Sequence, residues 1–302
     1  MIDEDEGFSG IWLKPVDARR YAWTRLAFAA VIVCQMVFLW PYREGLFGNG
    51  GLFPEEVVRA YNPGFHLPSA MMVNVSWWPG FLIAAGFVAA LLLFWGKWAR
   101  ASLVVVFLVL LACIQRAPLA TTGWDFILTN FSFILIFSPL AAEWTPALLW
   151  RSRQTARLGR LESGMLPRYG LVLLQIQMAI IYWQTVLTRM GDKFWGNGEF
   201  LSYFFLSHHS RFAGPWVHEW EWVLCIATFL TSFVEIAIPI LLWIKATRRI
   251  GIAVGVVFYL GIAAVSVNIG LFSIAILMTY VSFLGGISDD DWDDDCRTGR
   301  KN

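Results

Sequence analysis

Charge is scarce in this sequence. Asp, Glu, Lys and Arg make up 15% of its 302 residues and nearly cancel, leaving a net charge of +1. No basic block stands out, so nothing points to a nucleic-acid partner. Cysteine is as sparse, with Cys34, Cys113, Cys225 and Cys296 and no C-x-x-C pair. That spacing offers neither a disulfide framework nor a zinc site, and no metal is expected. The first twenty residues are polar and acidic, as in Asp3-Glu4-Asp5-Glu6, and do not read as a cleavable signal peptide. The first apolar helix is expected to act as its own insertion signal.

What fills the chain instead is apolar. It is 58% hydrophobic, with 17 Trp and 24 Phe, whereas soluble domains stay near half apolar. The expected fold is an all-α integral membrane protein, a bundle of about eight transmembrane helices in a lipid bilayer. Stretches long enough to span lie near 22–40, 77–95, 100–115, 125–141, 169–188, 221–244, 249–265 and 269–286. Residues 249–286 are too long for one upright helix and just long enough for a tight hairpin, hinged between Ser266 and Gly270. The chain thus divides into an N-terminal segment 1–20, a membrane domain 21–286 and an acidic tail 287–302. The tail run from Asp289 to Asp295 reads as a solvated end. It lacks the spacing and glycine of a calcium loop.

Orientation follows from the Lys and Arg of the loops. With eight spans, seventeen fall on one side and six on the other. Both termini are therefore expected in the cytoplasm, in a plasma or bacterial inner membrane. The turn after Arg189 then lies on the outer face. Tryptophans such as Trp23, Trp40, Trp77, Trp95, Trp183, Trp220 and Trp243 fall near span ends, where interfacial anchoring accounts for them.

Two outer loops carry a Gly-Asn-Gly triplet, Gly48 to Gly50 and Gly196 to Gly198, set 148 residues apart. The match is either the trace of a four-plus-four duplication or ordinary turn chemistry. His208 and His209 are adjacent, which on a helix would point them apart, and no third ligand stands at metal spacing.

Charge inside a bilayer costs roughly 2.5–3.5 kcal/mol on insertion scales, so each instance needs a reason. Glu235 is the carboxylate deep in a span. Pro239 follows four residues later and lacks the N–H that would bond the carbonyl of Glu235. Glu235 either handles a proton or orients a ligand, or it locks helices at a kink. Gln175, Gln177 and Gln184 are expected on the inward face of the fifth span and Asn130 on the fourth. Arg25, one turn into the first span, either snorkels to the inner surface or pairs with an inward-facing acid. Arg189 and Lys193 are four apart, so a continuing helix would put them on one face, although Gly191 weakens that helix. Lys193 is the chemically possible general base of this turn, since arginine stays protonated. Arg189 would bind an anion or carboxylate. The alternative is that both mark the outer interface.

Four features together resemble the HTTM family, the transmembrane domain shared with vitamin K-dependent γ-carboxylases. The first helix opens with an arginine, Tyr21-Ala-Trp-Thr-Arg25. A glycine-rich loop follows, Gly50-Gly-Leu-Phe-Pro54. A later helix ends in Arg189-Met190, then Trp195-Gly-Asn-Gly198. Another carries Glu235-Ile-Ala-Ile-Pro239. The resemblance covers roughly residues 14–286. It implies a membrane enzyme acting at the outer face on a reduced quinone of the vitamin K or menaquinone type, with catalytic Lys193 and Glu235 and with Arg189, Trp195 and Arg25 binding substrate or lipid. Arg189 occupies the family's lysine position unless the turn is shifted so that Lys193 substitutes, and Tyr259 takes the place of a common histidine. Some family members work in bacterial peptide maturation, which implies as alternative a non-catalytic accessory subunit with a peptide or membrane-protein partner.

Overall fold

The computed structural model describes residues 12–48, 50–61, 75–142, 144–147, 149, 164–267 and 270–284. The acidic tail lies outside them. Among the described residues six helices are long and apolar enough to cross a membrane: Ala18–Phe47, Trp78–Trp95, Ala99–Arg116, Tyr169–Met190, Glu221–Trp243 and Lys245–Val265. The protein is thus an all-α membrane protein by composition and helix length. Apolar helices also occupy the two remaining expected positions, at Gly123–Phe137 and Gly270–Leu284, but they are shorter. Fifteen helical residues reach about 22 Å at 1.5 Å each, short of a ~30 Å hydrocarbon core.

In chain order the elements are β1 (Pro15–Asp17), α1 (Ala18–Leu39), α2 (Arg43–Phe47), α3 (Glu55–Tyr61), α4 (Trp78–Trp95), α5 (Ala99–Arg116) and α6 (Gly123–Phe137). Then come β2 (Met165–Pro167), α7 (Tyr169–Met190), α8 (Lys193–Gly196), α9 (Phe200–Leu206), α10 (Glu221–Trp243), α11 (Arg248–Val265), α12 (Gly270–Thr279) and α13 (Val281–Leu284). They form two compact units that divide inside α7, between Leu173 and Leu174.

In the first unit α1 packs on α4, α4 on α5 and α5 on α6. Local chemistry sets where these helices begin and end. Asp17 caps α1 by accepting from the Arg19 N–H at 2.8 Å. Gly96, at φ +76°, closes α4 in the left-handed conformation, and the Lys97 N–H bonds the Leu92 carbonyl at 2.9 Å. Thr122 and Asp125 form a capping box at the start of α6, and Gln35 of α1 donates to Asp125 at 2.9 Å. Burial removes Gln35 from lipid at no unpaired cost, because the carboxylate accepts from it. Val16, Ala18, Tyr21, Ala22, Trp144 and Leu171 form a core cluster under a ribbon the sequence pattern does not announce: β1 pairs antiparallel with β2, Val16 opposite Leu166. The Tyr21 hydroxyl donates to the Pro167 carbonyl at 2.6 Å.

In the second unit α9 packs on α10, α10 on α11 and α11 on α12. The expected hinge after α11 is braced. Ser266 bridges Ser210, the Val267 N–H bonds the His209 carbonyl at 2.9 Å, and the Arg211 N–H bonds Val265 at 2.9 Å. Of the three glutamines of α7, Gln175 is buried and donates to the Ser282 carbonyl at 2.9 Å, whereas Gln184 is exposed. Asn130 of α6 is exposed as well. The buried face of α7 runs through Gln175, Met178, Ala179, Tyr182 and Val186, a 3.6-residue stripe that Gln184 does not join.

The element order from β2 onward repeats the order from β1. Helices α1 and α7 each have 22 residues, and α5 and α11 each have 18. Three sequence matches recur at the same offset of 148: Arg20-Tyr21 with Arg168-Tyr169, the two Gly-Asn-Gly triplets, and Trp95-x-Lys97-x-x-Arg100 with Trp243-x-Lys245-x-x-Arg248. Turn chemistry explains one triplet at a time. A common offset at three separated places, on elements of matching length, favours duplication.

Candidate functional site

The polar centre of the second unit is built on the ends of α7 and α10. Helix α7 stops at Met190, and Gly191 breaks it. Asp192 then caps a new one-turn helix by accepting from the Phe194 N–H at 2.8 Å. Arg189 and Lys193 therefore do not share one helical face. This departs from the expectation of a continuing helix, and the cause is glycine followed by a strong N-cap.

Past that break the chain presses on α10. Gly198, at φ +78°, lies where a Cβ would meet Cys225 and Phe229 of α10. The Thr228 hydroxyl accepts from the Leu201 N–H at 3.3 Å. Thr228 and Glu235 are seven residues apart and lie on the same face of α10.

On that face Arg189 Nη1 donates to Glu235 Oε2 at 2.5 Å. The Glu235 side chain is 6% exposed and that of Arg189 29%. The carboxylate is thus paired at the inner end of a cation whose outer end is still accessible. The Arg189 guanidinium also sits 4.2 Å from the centroid of Trp195, close enough for cation–π attraction. Trp195 stacks on Phe200, with centroids 4.0 Å apart and planes at 20°. Helix α10 continues through Pro239, which leaves the Glu235 carbonyl without its usual N–H partner.

Behind Glu235 lie three buried tyrosines. The hydroxyls of Tyr182 and Tyr280 are 2.5 Å apart. Tyr259 is within electrostatic reach of Glu235 and Arg189. The Tyr182 and Tyr259 rings meet edge to face at 6.0 Å. Tyr280 fits because Gly255 has no side chain, and a Cβ there would strike its hydroxyl.

Three of the five residues singled out from the sequence thus meet: Arg189, Glu235 and Trp195. Lys193 is exposed in α8, and its ammonium makes no hydrogen bond or ion pair among the described residues. Arg25 belongs to the first unit. It is fully buried and donates to the carbonyls of Trp144 at 2.6 Å and Ala142 at 3.4 Å. It does not snorkel, because its guanidinium is consumed in holding the chain after α6. His208 and His209 lie in a turn rather than a helix, and their rings come within 4.0 Å instead of pointing apart. No group of three or more His, Cys, Asp or Glu suited to a metal occurs among the described residues. Tyr182 and Tyr280 escaped sequence reading, although a tyrosine inside an apolar span is a detectable signal, since its hydroxyl needs a partner there.

No protein-family model, curated protein or solved structure matches this chain.

Proposed function

We propose that this chain is an eight-span membrane protein of the HTTM kind. Both termini lie in the cytoplasm, and the chain binds a reduced isoprenoid quinone near its outer face. The two short apolar helices complete the eight spans. The observation that carries the reading is the Arg189–Glu235 pair, covered by Trp195 and backed by Tyr259. The three side chains supply what a hydroquinone needs. A Glu235 carboxylate oxygen can take a hydroxyl proton. Arg189 cannot lose its own proton and keeps a positive charge beside the oxygen left behind. Trp195 offers a ring face to an aromatic head. Lys193, at the exposed rim, is the second candidate base, and Arg189 stands where the resembled family has its lysine.

The test is mass spectrometry of lipids retained by the protein purified in mild detergent. Near-stoichiometric isoprenoid quinone is expected, reduced several-fold in Trp195→Ala and Glu235→Gln. Retention of bulk phospholipid alone would overturn the reading. If quinone is retained, turnover is expected to be lost in Glu235→Gln, and a loss in Lys193→Met would move the base to that residue.

One observation favours a second reading, an accessory subunit without catalysis. Arg189 and Glu235 satisfy each other, as a helix lock would. On that reading activity is found only with a partner protein, and Glu235→Gln is tolerated while changes at Trp195 or Phe200 weaken assembly.

A further inference from the structure

The repeated Trp-x-Lys-x-x-Arg motif is used differently in the two units. In the second, Arg248 is buried and its Nε donates to the Leu242 carbonyl at 3.1 Å, closing the end of α10. Position 244 there is isoleucine, so no left-handed glycine caps the helix. In the first, Gly96 caps α4 and the Gly96 N–H bonds the Leu93 carbonyl at 3.1 Å. The matching Arg100 is released from capping. It is exposed, and its guanidinium makes no hydrogen bond or ion pair among the described residues.

Arg100 does not simply face away. It lines a cavity of about 310 Å³ whose other walls include Ala99, Leu140, Ala141, Ala142 and Leu166. A free guanidinium thus borders a small, otherwise apolar hollow. Lys97, whose exposed ammonium has no hydrogen bond or ion pair among the described residues, is three positions away. Trp98 at φ +46° and Ala141 at φ +44° are the positive-φ non-glycine residues among those described, and Ala141 lines this hollow. The floor is rigid, because Arg25 holds the carbonyls of Ala142 and Trp144.

We infer that this hollow binds the headgroup of an anionic phospholipid of the surrounding bilayer. Its phosphate lies on Arg100, with Lys97 adding charge, and its glycerol and first methylenes lie on Leu140, Ala142 and Leu166. The chemistry is charge complementarity. A guanidinium forks onto phosphate oxygens, and the apolar walls leave a zwitterion's ammonium without a partner. The inference is independent of the Arg189–Glu235 reading, since its residues all lie in the first unit.

Native mass spectrometry of the full chain, offered phosphatidylglycerol and phosphatidylcholine in equal amounts, tests it. The wild type is expected to retain phosphatidylglycerol at least fivefold over phosphatidylcholine. Arg100→Gln, an exposed change that leaves the core intact, should bring the ratio near one. Leu166→Trp, which fills the hollow, should do the same with the charge in place. Arg249→Gln, another exposed arginine, should leave the ratio as in the wild type. A preference that survives Arg100→Gln, or that falls equally in Arg249→Gln, would overturn the proposal. So would an absence of preference in the wild type.

Discussion

Arg189 and Glu235 meet at 2.5 Å although 46 residues separate them in the chain, and the acid is the more buried of the two. Removing one member strands the other. Breaking a buried pair from one side costs roughly 3–5 kcal/mol, while replacing both with apolar groups can be nearly neutral. Arg189→Met is therefore expected to lower the thermal midpoint of the detergent-purified protein clearly, and Glu235→Gln less, because glutamine still accepts a hydrogen bond. The double variant Arg189→Met with Glu235→Leu should be more stable than Arg189→Met alone. Additive losses would show that the pair is not coupled.

Trp195 is expected to hold Arg189 in place. Trp195→Ala loses the cation–π contact and the stack on Phe200, together worth about 1–2 kcal/mol. Trp195→Phe keeps part of both and should fall between alanine and the wild type in thermal midpoint. Equal losses in the two variants would argue that only bulk matters at this position.

Gly255 tests the tyrosine cluster. A methyl group there meets the Tyr280 hydroxyl and ring. Gly255→Ala should destabilise by about 1–3 kcal/mol, the usual range for overpacking. Gly261, on the same helix with nothing near its missing side chain, should accept alanine with no loss. A thermal scan of both variants gives the comparison directly.

Gly96 is doubly constrained. Its φ is +76°, and a Cβ would meet the Ala142 carbonyl and the Arg25 guanidinium. Gly96→Ala is expected to cost more than the ~1 kcal/mol of left-handed strain alone, since Arg25 must also shift. Its thermal midpoint should fall below that of Gly191→Ala, a position with open surroundings.

Much of this architecture is visible in the sequence, and the reasons are physical. Long apolar runs leave a chain few choices besides helices, so helices occupy all eight expected places. Glu235 and Arg189 stood out because charge among apolar residues demands an explanation. Gly191 was a visible weak point, and the helix breaks there. The cluster behind Glu235 was less legible. Tyr182 and Tyr280 carry mostly ring, and a hydropathy pattern cannot say that their hydroxyls meet across 98 residues. The roles of Arg25 and Gln184 depended on which helix face is covered, which one span does not disclose alone. Three-residue strands such as Pro15–Asp17 have no periodicity to read.

That short ribbon sets an order of events during synthesis. Val16 leaves the ribosome early, but its partner Leu166 follows about 150 residues later. At ~5–20 residues per second, the first strand waits roughly eight to thirty seconds. Throughout that interval its backbone donors and acceptors must be met by water or by a chaperone. The membrane helices between the strands can insert one after another as they emerge. The seam that joins Pro15–Asp17 to Met165–Pro167 can close only after them, so it is a late checkpoint on a correctly inserted first half.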